Sequence, residues 1–130
     1  MKKVLKVIVI IVIVIAVLAA TGIFFITRGL KEGAKLVIND VSVADFKDGK
    51  CNGIYKEKRW LSEVDVIIKD HKITKIQLLS EPMANLDGLD FSNTLFKSVI
   101  DNQTPNVDVI SGATVTSKAY LKSIENALTK

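Results

Sequence analysis

The chain has 130 residues, 48% of them hydrophobic, with one cysteine, one histidine and a formal charge of +4. That length suits one domain. The lone Cys51 excludes an internal disulfide and a CxxC metal or redox pair, and the residue types that bind metals do not cluster around His71, so no metal site is expected. The basic excess does not point to nucleic acid: Lys2, Lys3, Lys6 and Arg28 carry all of it around an apolar segment, and beyond Arg28 fourteen basic residues balance fourteen acidic ones.

Val7 to Ile26 is a run of twenty residues without a charge, interrupted only by Thr21 and Gly22. At about 1.5 Å per residue a helix of that length covers roughly 30 Å, the hydrocarbon thickness of a bilayer. Its Val and Ile would favour a strand in water, but in lipid the backbone must be bonded within the segment, which dictates a helix. The rival is a cleaved signal peptide. The apolar run is long for one and continues past Ala19-Ala20 through Phe24-Phe25-Ile26, and no cysteine near that point permits lipoprotein processing. An uncleaved single-pass anchor over 1–28 is expected. Lys2, Lys3 and Lys6 face Arg28, Lys31 and Lys35 across it, so charge alone orients it only slightly.

Residues 29–35, with Gly29 and Gly33 among charges, read as a linker, and the folded domain is expected over 36–130. Its apolar start, from Leu36-Val37-Ile38 through Val41 and Val43 to Phe46, predicts one or two strands. Asp48-Gly49 is a turn signal. Gly53 permits a close backbone approach, either to another strand or to a flat ligand. Trp60 packs on the sheet or lies beside a ligand ring. Val64, Val66 and Ile68 alternate with Asp65, Ile67 and Lys69, a half-buried strand. Asp70-His71 forms the turn, and Ile73, Ile76, Leu78 and Leu79 the return strand. Pro82 ends the sheet segment and Asp87-Gly88 breaks any helix begun after it. Phe91, Leu95, Phe96, Val99 and Ile100 recur at helical spacing and predict an amphipathic helix ending near Asn102, closed off by Pro105. Leu121, Ile124 and Leu128 mark a last helix, N-capped by Thr116 or Ser117. The fold class is α+β: an N-terminal transmembrane helix followed by a small antiparallel-sheet domain with two helices.

Val107 to Ser117, VDVISGATVTS, gathers small and hydroxyl residues. It reads as a strand leading through a glycine turn to a helix N-terminus, where free N–H groups and the positive end of the dipole suit an anion. Neither GxxxxGK[ST] nor GxGxxG is present. The residues alone reach an anion site and no further.

Asp108-x-x-Ser111-Gly112-Ala113-Thr114 resembles the flavinylation motif of the FMN-binding domain family, which includes a flavin-carrying subunit of the sodium-translocating NADH:quinone reductase and the matching Rnf subunit. The resemblance runs from about Phe46 to the C-terminus. Asp48-Gly49-Lys50-Cys51-Asn52-Gly53 resembles the family's DGxYxG opening, and Val64 to Ile76 its VxVxVxDGKITxI hairpin. Cys51 stands in place of the usual aromatic and His71 in place of the turn glycine. The resemblance implies FMN joined through its phosphate to Thr114 by a flavin transferase (ApbE-like) that uses FAD and magnesium. Asp108 would be read by that enzyme or help organise its metal. Gly112 and Ala113 would keep the approach open. Ser111, Thr116 and Ser117 would hydrogen-bond the turn or the phosphate, and Lys118 would offset its charge.

The function so implied is an anchored extracytoplasmic electron carrier, taking electrons from a membrane donor and passing them to an external or protein acceptor. The soluble part is short for a separate substrate-converting domain, so no catalytic residue is assigned. The alternatives are a flavin-free anchored binding module, or an accessory subunit of an Rnf-like membrane complex. Cys51 is a buried small hydrophobe or a thiol near the flavin.

Overall fold

The computed structural model describes residues 1–58, 60–80 and 89–130. The positions of Pro82 and Asp87-Gly88 lie outside these described residues. The chain divides into two units, Met1–Lys31 and Glu32–Lys130.

The first unit is dominated by helix α1, Lys2–Thr27. Its 26 residues extend about 39 Å at 1.5 Å per residue, enough to cross a bilayer. The hydroxyls of Thr21 and Thr27 donate to the carbonyls of Val17 and Ile23 one turn back, so these polar side chains are satisfied inside the helix. Gly29, at φ +95°, takes the left-handed conformation that commonly ends a helix. The helix is apolar and long enough to span a membrane, a property that a signal sequence near the N-terminus shares. A short helix α2, Leu30–Lys35, follows.

The second unit holds a three-stranded antiparallel sheet in the order β1-β2-β3, formed by Gly49–Glu57, Trp60–Lys69 and Lys72–Ser80. Helices α3, Leu89–Asn102, and α4, Thr114–Leu128, complete it. The sheet domain is thus α+β, as its sequence periods indicate. Val64, Val66 and Ile68 are buried on one face of β2, opposite Gly53 and Cys51 of β1 and Ile76 and Leu78 of β3. Tyr120, Leu121, Ile124 and Leu128 of α4 and Leu95, Phe96 and Val99 of α3 close the core against them.

Gly53 faces α4 at the tightest point. A Cβ added there would stand 1.9 Å from the Ser123 carbonyl oxygen and 2.5 Å from the Ala127 nitrogen. The close approach that its glycine permits is therefore to a helix backbone. Ser123 and Ala127, one turn apart on α4, are the small residues at that contact. The Ser123 hydroxyl donates to the Tyr120 carbonyl at 2.7 Å, which leaves Ser62 as the donor in the buried 2.9 Å bond between the Ser62 and Ser123 hydroxyls.

The β2–β3 connection is a two-residue turn with Asp70 at φ +51° and His71 at φ +57°, the type I′ geometry whose twist matches the strands. Neither residue is glycine. His71 is held by two bonds to the preceding loop: its N–H donates to Asp48 Oδ1 at 3.3 Å, and its Nδ1 lies 2.8 Å from the Phe46 carbonyl. These contacts offset the cost of a left-handed histidine.

Residues 36–48 contain no strand, contrary to the apolar pattern. Val43 is buried and Ile38, Val41 and Phe46 pack on the core, so the apolar residues do go inward. The backbone of Leu36, Val37 and Asn39, however, is held by side chains of α4, and that of Phe46 by Val43 and His71, not by a sheet ladder. The expected strand at 107–110 is likewise irregular, with Val107, Val109 and Ile110 packed on the core.

Candidate functional site

The site is built where the 106–113 segment enters α4. Ile110 and Ala113 close the turn, the Ala113 N–H donating to the Ile110 carbonyl at 3.1 Å. Ser111 and Gly112 lie exposed at its apex. Gly112 has φ +84°, and an added Cβ would meet nothing within 4 Å. Glycine is required there by the backbone, and the space above the turn is open.

Helix α4 begins at Thr114, two residues before the N-cap that the sequence suggests. Its N-cap is Ala113, which has no side-chain oxygen, and no side-chain cap is made at this end among the described residues. The first intrahelical bond runs from the Ser117 N–H to the Ala113 carbonyl at 2.8 Å. The dipole end and the N–H groups of the first turn therefore converge on Thr114 with no cap competing for an anion. The Thr114 hydroxyl is on a half-exposed residue, while Thr116 and Ser117 are buried. Ser117 does not cap its own helix: its Oγ accepts the Ile110 N–H at 3.2 Å and so fixes the turn from beneath. The hydroxyls of this stretch thus divide, with Ser117 committed to the turn and Ser111 and Thr114 on the outer side.

Asp108 is exposed. It lines a surface pocket of about 280 Å³ with Ser98 and Asn102 of α3 and Thr104, Asn106 and Val107, so its described neighbours there are mostly polar. Cys51 is half-buried against the core and lines a pocket with Phe46, Asn52, Ala127 and Lys130. Ala127 lies thirteen residues beyond Thr114 on α4, about 20 Å along the axis, which sets the thiol at the other end of the helix. Trp60 is buried at the start of β2. No group of three or more His, Cys, Asp or Glu that could hold a metal occurs among the described residues.

The sequence pattern missed how α4 is held. Lys118 Nζ donates to the carbonyls of Ala34 at 2.6 Å and Leu36 at 2.8 Å. Lys122 Nζ donates to the Val37 carbonyl at 3.5 Å and to Glu125 Oε1 at 2.8 Å. Glu125 accepts the Asn39 backbone N–H at 3.1 Å and the Asn39 amide at 2.9 Å. Lys118, Lys122 and Glu125, spaced four and three apart, form one stripe that grips residues 34–39 as a strap. Gly33 packs on Val115 of the first turn, where a Cβ would stand 2.5 Å from Val115 Cγ1. Burial pushes the Glu125 carboxyl up, but the bonds from Lys122 and Asn39 outweigh it and hold the group below the usual range. At the sheet, the Asn52 amide and the Lys50 ammonium lower Asp65 in the same way.

Residues 61–129, just over half of the chain, match the family described as FMN-binding domain. Over 96 residues, 72% of this chain, the sequence is 27% identical to a protein named NADH:fumarate oxidoreductase from Klebsiella pneumoniae (strain 342). The matched stretch is 10% of that protein, so the chain spans about a tenth of its relative's length.

Proposed function

Since the chain belongs to the FMN-binding domain family, with FMN as its cofactor, we propose that it holds FMN through a phosphoester on Thr114 and serves as a membrane-anchored electron carrier. The observation that carries this reading is the position of Thr114: first residue of a helix without a side-chain cap, just past an exposed turn with open space above Gly112. That arrangement fits a flavin phosphate. Thr114 Oγ would bear it, the first-turn N–H groups would face its oxygens, and Ser111 stands on the same exposed turn. The bound flavin supplies the redox chemistry, and the protein supplies position and electrostatics.

A threonine hydroxyl is a weak nucleophile without a neighbouring base, and no residue adjacent to Thr114 in sequence is one. This supports modification by a flavin transferase acting on FAD, with Asp108 and its polar pocket on the side that enzyme would read. A phosphoester tether is useful where a dissociated flavin would be lost by dilution, which supports placing the domain on the extracytoplasmic side of a membrane anchored by α1. In the Klebsiella relative the matching stretch is a small part of a longer chain named as an oxidoreductase. That supports a module that passes electrons between partners, here a membrane donor and an external or protein acceptor, and does not convert a substrate alone.

The test is the intact mass of the full chain after coexpression with an active flavin transferase, beside Thr114→Ala. The expected result is a gain of one FMN less one water in the parent and none in the variant. An unmodified parent overturns the covalent reading.

A further inference from the structure

Lys118 follows Thr114 by four residues on α4, so their Cβ atoms lie about 5–6 Å apart on one face. Helical side chains slope toward the N-terminus, which directs Lys118 back over the turn that carries Thr114. Its ammonium is already engaged by the strap carbonyls of Ala34 and Leu36. The other cation of α4, Lys122, is bonded to Glu125 a full turn farther on. Across the β1–β2 turn, Lys58 pairs with Glu32 at 3.7 Å. Lys118 is thus the α4 cation that shares a face with Thr114 within one turn, and it has two neutral acceptors to give up.

We propose that Lys118 is a ligand of the phosphate on Thr114, and that taking up this role releases the strap at Ala34–Leu36. The inference rests on attachment of FMN at Thr114 as proposed above. A phosphodiester brings a negative charge to a helix turn that contains no acidic residue. The carbonyl bonds already have a charged donor; a phosphate acceptor adds the attraction of opposite charges on a partly shielded helix face, so the exchange runs toward the phosphate. The strap does not detach as a whole, because Glu125 still holds Asn39 through two bonds. Its hinge lies at residues 37–39, and the freed portion includes the exposed Lys35. Only the loaded carrier then gains slack at residues 34–36, so flavin loading and the mobility of that segment are coupled.

The experiment is limited trypsin digestion of the full chain in detergent, unmodified and flavinylated, following cleavage after Lys35, with intact mass reporting the loading. Cleavage at Lys35 is expected to rise at least about tenfold on loading, the factor carried by either one of the two charge-assisted hydrogen bonds that are lost. Lys118→Met should be cleaved rapidly in both states while keeping the parent's far-UV spectrum. Thr114→Ala exposed to the transferase should stay slow. Loaded protein cleaved no faster than unloaded, or Lys118→Met as slow as the parent, overturns the proposal. Absence of any mass gain overturns it through the attachment on which it rests, and the mass record separates that failure from the others.

Discussion

Gly53→Ala tests the packing that places α4, and with it Thr114. The added methyl carbon would stand 1.9 Å from the Ser123 carbonyl oxygen, 2.5 Å from the Ala127 nitrogen and 2.7 Å from Ala127 Cβ. Two of these three neighbours are helix backbone, so no rotamer change relieves the overlap; α4 must lift from the sheet by more than 1 Å to restore a normal contact. Overpacking of a core costs about 1–3 kcal/mol and occasionally more. Here the cost belongs at the upper end, about 3 kcal/mol, because lifting α4 also loosens Ile124 and Leu128, both fully buried. For a domain of this size each kcal/mol lowers Tm by about 4–8 °C, so a drop of about 12–24 °C is expected. Thermal unfolding followed by far-UV circular dichroism measures it. A fall of only a few degrees would refute the reasoning, since it would mean that the helix does not rest on the Gly53 backbone.

Gly112→Ala is the complementary case, in which the added methyl meets nothing but the residue must hold φ +84°. The expected cost is about 1 kcal/mol in a urea melt, together with slower flavin transfer to Thr114. Gln103 donates to the Ile73 and Ile100 carbonyls and accepts the Ile73 N–H at 2.7 Å, standing in for a strand neighbour at the edge of β3. Gln103→Ala strands those groups beside a buried residue and should cost about 1–3 kcal/mol by the same melt. Glu125 is held below its usual pKa of 4.5 in the folded state, so its contribution is full above that value and is lost as pH falls through the depressed folded value. Glu125→Gln should therefore be less stable than the parent by about 1–3 kcal/mol at pH 7, and the gap should narrow below the unfolded pKa. A gap independent of pH would contradict the assignment. Asp65 shifts in the same direction in both proteins and cancels from the comparison.

The elements that local period determines were legible. Val64, Val66 and Ile68 alternate, and Leu95, Phe96 and Val99 fall on one helical face; both sets are buried as their spacing requires. The segment from Leu36 to Phe46 was not legible as what it is. Its apolar residues resemble a strand, but the groups that hold the backbone at its start, Leu36 to Asn39, are side chains more than eighty residues away on α4. The start of α4 misled for a related reason. Thr116 and Ser117 look like caps, yet Ser117 spends its oxygen on the Ile110 N–H, and the helix opens on Ala113 without a side-chain cap. Gly53 announced a close approach without naming its partner, which a helix supplied. At the site, the turn, its glycine and the half-exposed Thr114 follow from SGAT itself. The engagement of Lys118 by the strap depends on a tertiary contact that no spacing encodes.

The most direct test of the account is the site of modification. Full chain isolated after coexpression with a flavin transferase, digested and analysed by tandem mass spectrometry, should yield a peptide bearing FMN as a phosphoester on Thr114, with Thr114→Ala unmodified yet folded. An unmodified Thr114 beside a transferase shown to be active on another acceptor, or FMN found on Ser111 or Thr116 instead, would contradict the central claim.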